Sequence, residues 1–244
     1  MRRRKHVLSL VMALMAVAAG CDNSDPGIPD SQPVYRWQQD GECSSGERGN
    51  MMINEINFAG SVRDDGTFDA DDIFIELWNR HPRPINVSNW RLNVYGDTDG
   101  YVPDRGYLIP TVEAPMAANG YFVIAKKRDG AFKDVADVFI DDLELGKKFV
   151  ELELRDCDQK LMEGAGSRDL PVFAGGFDLV TVRSMERAQL IFANGGGAPI
   201  NWHSYSANTA PPSVAEGFRQ RTLASPGEAN SPDYSGAAAA GNFE

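Results

Sequence analysis

Histidine and cysteine are both scarce in this chain: 244 residues carry three of each. His6 falls in an apolar N-terminal stretch, which leaves His81 and His203 for the body of the protein. Neither belongs to an HExxH pair or adjoins a cysteine, so a zinc centre has no ligand set to build on. No GxSxG elbow, P-loop or GxGxxG after a strand is present, so serine-hydrolase, nucleotide and dinucleotide chemistry lack their fingerprints. No apolar run reaches the ~20 residues of a membrane-spanning helix. Basic side chains are in deficit, 24 Lys and Arg against 35 Asp and Glu, a net charge of −11. Such a surface repels nucleic-acid phosphates and anionic headgroups, and a nucleic-acid partner is not expected.

What the N-terminus does carry is an address. Arg2, Arg3, Arg4 and Lys5 precede an almost wholly apolar run from Val7 to Ala19, the length of a signal-peptide core. Ala18-Ala19-Gly20-Cys21 resembles a bacterial lipobox, in which cleavage precedes a cysteine that receives diacylglycerol on its sulfur. Residues 1–20 therefore read as a lipoprotein signal peptide and Cys21 as the lipidated residue. The protein is expected at the cell envelope, held to a membrane through its lipid. Removal of residues 1–20 takes four basic side chains from the 24, so 20 basic face 35 acidic, a net of −15. Residues 21–50 are polar and proline-containing, a tether. Cys43 and Cys157 are the thiols that remain once Cys21 is acylated. Exported compartments are oxidising, so these two are expected to form a disulfide.

The body reads as strands. Ile73, Ile75 and Leu77 alternate with Phe74, Glu76 and Trp78, and Trp90, Leu92 and Val94 alternate with Arg91, Asn93 and Tyr95. Pro82, Pro84, Asn86 and Ser88 make a turn between them. Further runs at Tyr121–Ala125, Val135–Ile140, Phe149–Leu154 and Phe177–Arg183 predict an all-β sandwich over residues 51–232. Ser184–Gln189 reads as one helical turn, and residues 233–244 as a frayed tail.

Four pieces, in order, carry a family likeness: Ile53-Asn54-Glu55-Ile56, Phe74-Ile75-Glu76-Leu77-Trp78-Asn79, Val87-Ser88-Asn89-Trp90-Arg91-Leu92 and Ser225-Pro226-Gly227-Glu228-Ala229-Asn230. Together they resemble the lamin tail domain, an immunoglobulin-like module also found in bacterial exported proteins. The resemblance covers about residues 51–230 and implies an immunoglobulin-like β-sandwich with no shared catalytic residues. No heptad rod stands before it here, so filament assembly is not expected. Residues 195–217 fit that pattern poorly and read as a longer loop.

Three constellations are candidates for function. Glu55 and Glu76 fall on neighbouring positions if their strands pair. They read either as the two carboxyls of a glycosidase or as hydrogen-bonding groups of the fold. Asp64, Asp65, Asp69, Asp71 and Asp72, joined by Asp97 and Asp99 if the loops meet, are a candidate calcium loop; no other cofactor is suggested. Trp202 and Tyr205 are a candidate aromatic contact surface for an envelope protein or glycan. The reading is a non-catalytic binding or structural module, with an envelope hydrolase and a calcium-dependent adhesion module as alternatives.

Overall fold

The computed structural model describes Cys43 and residues 48–97, 102–188 and 195–234. Residues 1–20, read as a signal peptide, Cys21, most of residues 22–50, Asp99 and the residues beyond Tyr234 lie outside the described residues.

The strands in chain order are β1 (Met51–Asn57), β2 (Ser61–Val62), β3 (Phe68–Asp69), β4 (Phe74–Asn79), β5 (Arg91–Tyr95), β6 (Arg105–Leu108), β7 (Tyr121–Ala125), β8 (Val138–Phe139), β9 (Val150–Arg155) and β10 (Leu161–Ser167). Then come β11 (Gly176–Phe177), β12 (Val182–Arg183), β13 (Met185–Arg187), a 3-10 turn at Pro199–Asn201, β14 (Trp202–Ser204) and β15 (Thr222–Leu223). One sheet has the order β14-β13-β1-β4-β7-β8 and faces a second of order β10-β9-β5-β6. Ile53, Ile56, Ile75, Leu77 and Ile124 from the first share one core with Leu92, Val94, Leu152 and Leu154 from the second. The result is the all-β sandwich that the strand spacing predicts.

The two sheets differ in what covers their outer faces. On β9, Val150, Leu152 and Leu154 are buried while Glu151, Glu153 and Arg155 are partly exposed, as the alternation predicts. The six-stranded sheet is buried on both sides. Phe74, expected on an open face, packs edge-on against Phe132 with centroids 4.5 Å apart. Both join Val123, Ala131, Val214 and Phe218 in a second apolar cluster. The chain after β14 thus forms a third layer of largely irregular backbone. It is pinned by hydrogen bonds such as Ala215 N to Ala131 O (2.8 Å) and Thr222 Oγ1 to Val62 O (2.9 Å).

A β-bulge on β1 decides which side chains face that third layer. Ile53 stands opposite Leu77, but Glu55 stands opposite Glu76, so Asn54 is the extra residue. Strict alternation from Ile53 would turn Glu55 into the core and Ile56 out of it. The bulge reverses both, and Ile53 and Ile56 are each fully buried in the sandwich.

Two local expectations are corrected. Ser184–Gln189 is not a helical turn: Met185–Arg187 is β13, paired with β1 and β14. Phe177–Arg183 is not one strand but part of a hairpin, with β11 and β12 antiparallel. Asp178 folds its tip, its carboxylate accepting from Val180 N (2.9 Å), Thr181 N (2.6 Å) and Thr181 Oγ1 (2.9 Å).

Cys43 and Cys157 are bonded, with Cα atoms 5.8 Å apart. Cys157 lies in the turn between β9 and β10, which Asp156 shapes by accepting from Asp158 N and Lys160 N. The buried Trp90 indole donates to Cys43 O at 2.6 Å, a second attachment of the same segment. The bond spans 114 residues, and chain entropy puts a loop of that order at about 4–5 kcal/mol as an upper figure. Denaturant titration of Cys43→Ser should show a loss of unfolding free energy approaching that value. Trp90→Phe, which keeps the ring and removes only the indole donor, should cost about 1 kcal/mol.

Candidate functional site

Three glutamates and a histidine form a row across four adjacent strands. Glu55 on β1 stands opposite Glu186 on β13 and Glu76 on β4, and His203 on β14 stands opposite Glu186. Directly paired positions share a face, with Cβ atoms about 5 Å apart. The face is the outer one, and the three glutamates are 0% exposed. What covers them is the chain from Ser225 to Ser231.

That segment supplies donors to every carboxyl. Glu76 accepts from Gly227 N at 2.5 Å and from Asn54 Nδ2 at 2.7 Å. Glu55 accepts from Ser225 N at 2.9 Å. Glu186 accepts from Ser231 N at 3.0 Å and from the Ser231 hydroxyl. Asn54, the bulge residue, also donates to Asn230 Oδ1 at 2.8 Å, and Asn230 Nδ2 donates to Arg187 O at 2.8 Å. Gly227 holds φ +78°, and a Cβ there would lie 2.7 Å from Val135 Cγ2, so the turn that aims its N–H at Glu76 demands glycine.

Proton counting says more. The Ser225 hydroxyl lies 2.5 Å from Glu186 Oε1 and 3.3 Å from Glu55 Oε2. One hydroxyl proton cannot serve both acceptors. The consistent arrangement has Glu55 protonated and donating to Ser225 Oγ, which donates in turn to Glu186. Burial pushes the Glu55 carboxyl well above its usual range, and the charges of Glu186 and Glu76 push it further. Burial likewise raises Glu76, to about 8, against the opposing pull of its Asn54 and Gly227 hydrogen bonds. His203 donates Nδ1–H to Ser204 O at 3.0 Å, with Glu186 Oε2 at 3.6 Å. It is buried.

Chemically the row is a closed lock. A glycosidase pair needs a cleft between its carboxyls that admits a sugar and water. Here the space holds Ser225, Gly227 and Ser231. Glu55 and Glu76 do meet, as their positions suggest, and they bond backbone amides across the face of the sheet. Glu186 and His203 escaped sequence reading. The signal available was the apolar-Glu step Met185-Glu186, which matches Ile75-Glu76.

The acidic loop does not converge. Asp64 accepts from Gln220 N, Asp65 from Thr67 N and Asp72 from Ser61 Oγ and Ala131 N. Asp69 pairs with Lys127, and Asp71 with Lys126 at 2.7 Å. Asp97 is taken by Phe149 N and Lys147 N. Among the described residues no group of three or more His, Cys, Asp and Glu side chains is placed to hold a metal ion. Asp64, Asp65, Asp69, Asp71 and Asp72, the candidate calcium loop, thus each turn to a separate partner.

Trp202 and Tyr205 are not a contact surface either, being only 3% and 5% exposed. Trp202 seals an edge of the sandwich under the Arg187 guanidinium, 5.1 Å from the ring centroid, and donates to Gly196 O at 2.7 Å. Arg187 in turn pairs with Glu163 at 3.2 Å. Tyr205 donates to Thr209 O at 2.8 Å.

The exposed apolar surface lies elsewhere. Phe68 of β3 and Phe177 of β11 stack with centroids 4.4 Å apart, both partly open to solvent. They stand at the mouth of a cleft of about 380 Å³ lined also by Phe58, Ala59, Val172 and Lys147. Lys147 Nζ donates to Phe58 O (2.6 Å) and Ala70 O (2.8 Å), tying two loops together, and its burial lowers its pKa. Beside Phe177, the hairpin tip presents Leu179 at 85% exposure and φ +76°. A leucine in the left-handed region, where Gly or Asn costs less, is an outlier worth a functional hypothesis.

No family model matches the chain, and no curated protein matches it. The four motif pieces can still be placed. Three of them, on β1, on β4 and at 225–230, meet at the carboxylate row, while the fourth leads through Trp90 into β5.

Trp202→Ala is expected to destabilise the fold by about 3–5 kcal/mol, as large aromatic truncations in a core do, measured by denaturant unfolding. Millimolar calcium should leave the melting temperature where it was; a rise of several degrees would restore the acidic loop as a site.

Proposed function

We propose that this protein is a lipid-anchored component of the bacterial cell envelope, built on a lamin-tail-like sandwich and acting as a binding or structural module. The observation that carries the binding reading is the stacked, exposed Phe68–Phe177 pair over its apolar cleft, with Leu179 beside it. Isolated exposed apolar residues are ordinary, whereas a concave apolar mouth with an exposed tip fits a contact site. This surface replaces Trp202 and Tyr205 as the expected place of contact. Export is supported by the Cys43–Cys157 bond, which suits an oxidising compartment, and by the signal-like residues 1–20 with Cys21. The acidic balance favours a neutral or basic partner, an envelope protein or glycan.

The envelope-hydrolase alternative places Glu55 and Glu76 at its centre. Their seal of backbone donors weighs against it.

Two experiments test the reading. Labelled palmitate should enter the wild type and not Cys21→Ser, and the variant should move from the membrane to the soluble fraction. Envelope extract passed over immobilised protein should yield a partner that Phe68→Ser/Phe177→Ser fails to hold at unchanged melting temperature. Turnover in a hydrolase screen, lost in a folded Glu76→Gln variant, would replace this reading with the enzymatic one.

A further inference from the structure

The Glu186–Glu55–Glu76 row has a property that neither a binding surface nor a lipid anchor requires. It joins two parts of the chain far apart in sequence through carboxyl oxygens, beside the amide bonds of Asn230 to Asn54 and Arg187. The spans are 170 residues for Ser225 to Glu55 and 151 for Gly227 to Glu76. We propose that the row is a proton-held latch: residues 225–231 stay seated on β13, β1 and β4 while the row keeps its protons, and lift as those protons are lost on the alkaline side.

The geometry sets this up. Three carboxyls in register on adjacent strands cannot all be charged without water, because like charges about 5 Å apart in a buried site repel strongly. The one hydroxyl proton of Ser225 lies between Glu55 and Glu186 and cannot serve both, and a proton kept on Glu55 resolves the shortage. The surrounding charges do not relieve the repulsion. Arg183 is directed to Tyr205 O (2.6 Å) and Ala207 O (3.2 Å) instead of to the row. Asp137, whose carboxylate accepts from Val123 N at 2.7 Å, adds negative charge on the Glu76 side, and Glu228 of the covering segment adds it on the Tyr205 side. Tyr121 and Tyr205 lie close enough to feel the row, and Tyr205 is pushed up to about 12 by burial and by Glu186 and Glu55, so it stays neutral. His203 also faces the row, at 3.6 Å from Glu186, and its Nδ1–H is already given to Ser204 O.

The direction follows from linkage. Seated, Glu55 and Glu76 hold protons more tightly than they do in water, so the closed state binds more protons than the open one. The stabilisation is complete below the ordinary carboxylate range near 4.5. It declines as pH rises and is lost once Glu76 passes its seated value of about 8. The titration belongs to the coupled row more than to any one residue. Opening turns a sealed, partly neutral face into a row of exposed carboxylates on an already acidic body. Phe68 and Phe177 lie on β3 and β11, and β11 reaches the covering layer through β12, which pairs with β15.

The test is amide hydrogen exchange of the full chain in detergent, read at Ser225, Gly227 and Ser231 between pH 6 and 9 and corrected for the intrinsic base-catalysed rate. The corrected opening should grow by up to about tenfold per pH unit for each proton released. Core amides of β5 and β9 serve as internal controls and should stay flat. Glu55→Gln/Glu76→Gln presents amides in place of the protonated acids and should remove most of the slope. A flat wild-type profile, or a slope unchanged in the folded double variant, overturns the latch. If the double variant does not fold, carboxyl-carbon NMR titration of the wild type decides: Glu55 and Glu76 titrating below pH 5 in the folded protein overturns it, and titration above pH 6 upholds it.

Discussion

A carboxyl group removed from water must be given donors or keep its proton. Glu55, Glu76 and Glu186 are removed from water together, on three adjacent strands and on the same face. Much of the rest of the architecture answers to that. Backbone N–H groups of Ser225, Gly227 and Ser231 have to arrive over the sheet, so the chain after β14 must double back across it. Gly227 must be glycine for its N–H to point inward, and Asn54 must bulge so that Glu55 turns outward and its own amide reaches Glu76 and Asn230. Apolar packing of Phe74, Phe132, Val214 and Phe218 then holds the same layer from its other end.

This explains why a sheet with one apparently polar face is buried on both sides. The covering layer has little ladder pairing of its own; β15 pairs only with β12, and in parallel. Irregular backbone needs its polar groups satisfied as fully as strands do. Side-chain carboxyls on the sheet serve as the missing acceptors, in the role a neighbouring strand would otherwise fill. The arrangement costs desolvation of three acids, and retained protons reduce that cost.

The sandwich itself was legible because its inner faces obey period two. Val150, Leu152 and Leu154, or Leu92 and Val94, announce both strand and orientation. The Cys43–Cys157 pairing was legible by compartment and elimination. Glu55 beside Glu76 was legible as an adjacency but not as a task, since their partners lie about 150 to 170 residues downstream. The bulge at Asn54 was missed, although strict alternation would put Glu55 in the core and Ile56 outside it. Met185–Arg187 resembled a helical turn because three residues are too few to display a period. Trp202 and Tyr205 looked exposed because Gly195 to Gly197 suggests an open loop. In the fold, Gly196 forms a bridge with Ala165 and accepts the Trp202 indole, and a Cβ there would lie 2.6 Å from Gly164 O and closer still to the Arg187 guanidinium. The acidic loop misled for the opposite reason. Clustering in sequence implies convergence only when the backbone bends around a centre, and here each aspartate is drawn to a different partner.

The two features with functional weight place different demands on the fold. The Phe68–Phe177 cleft is built from two short hairpins held by local turns and by Lys147, which binds the carbonyls of Phe58 and Ala70. Its hairpins also bond the third layer, through β12 to β15 and through Val62 to Thr222 Oγ1. The row, in contrast, depends on the most distant contacts in the chain, and its closing segment carries few apolar anchors between Ala224 and Asn230. Local opening is easiest where apolar contacts are few and polar ones are conditional. Residues 225–231 are therefore the part of this protein whose attachment answers to solution conditions, while the disulfide and the shared apolar core do not titrate.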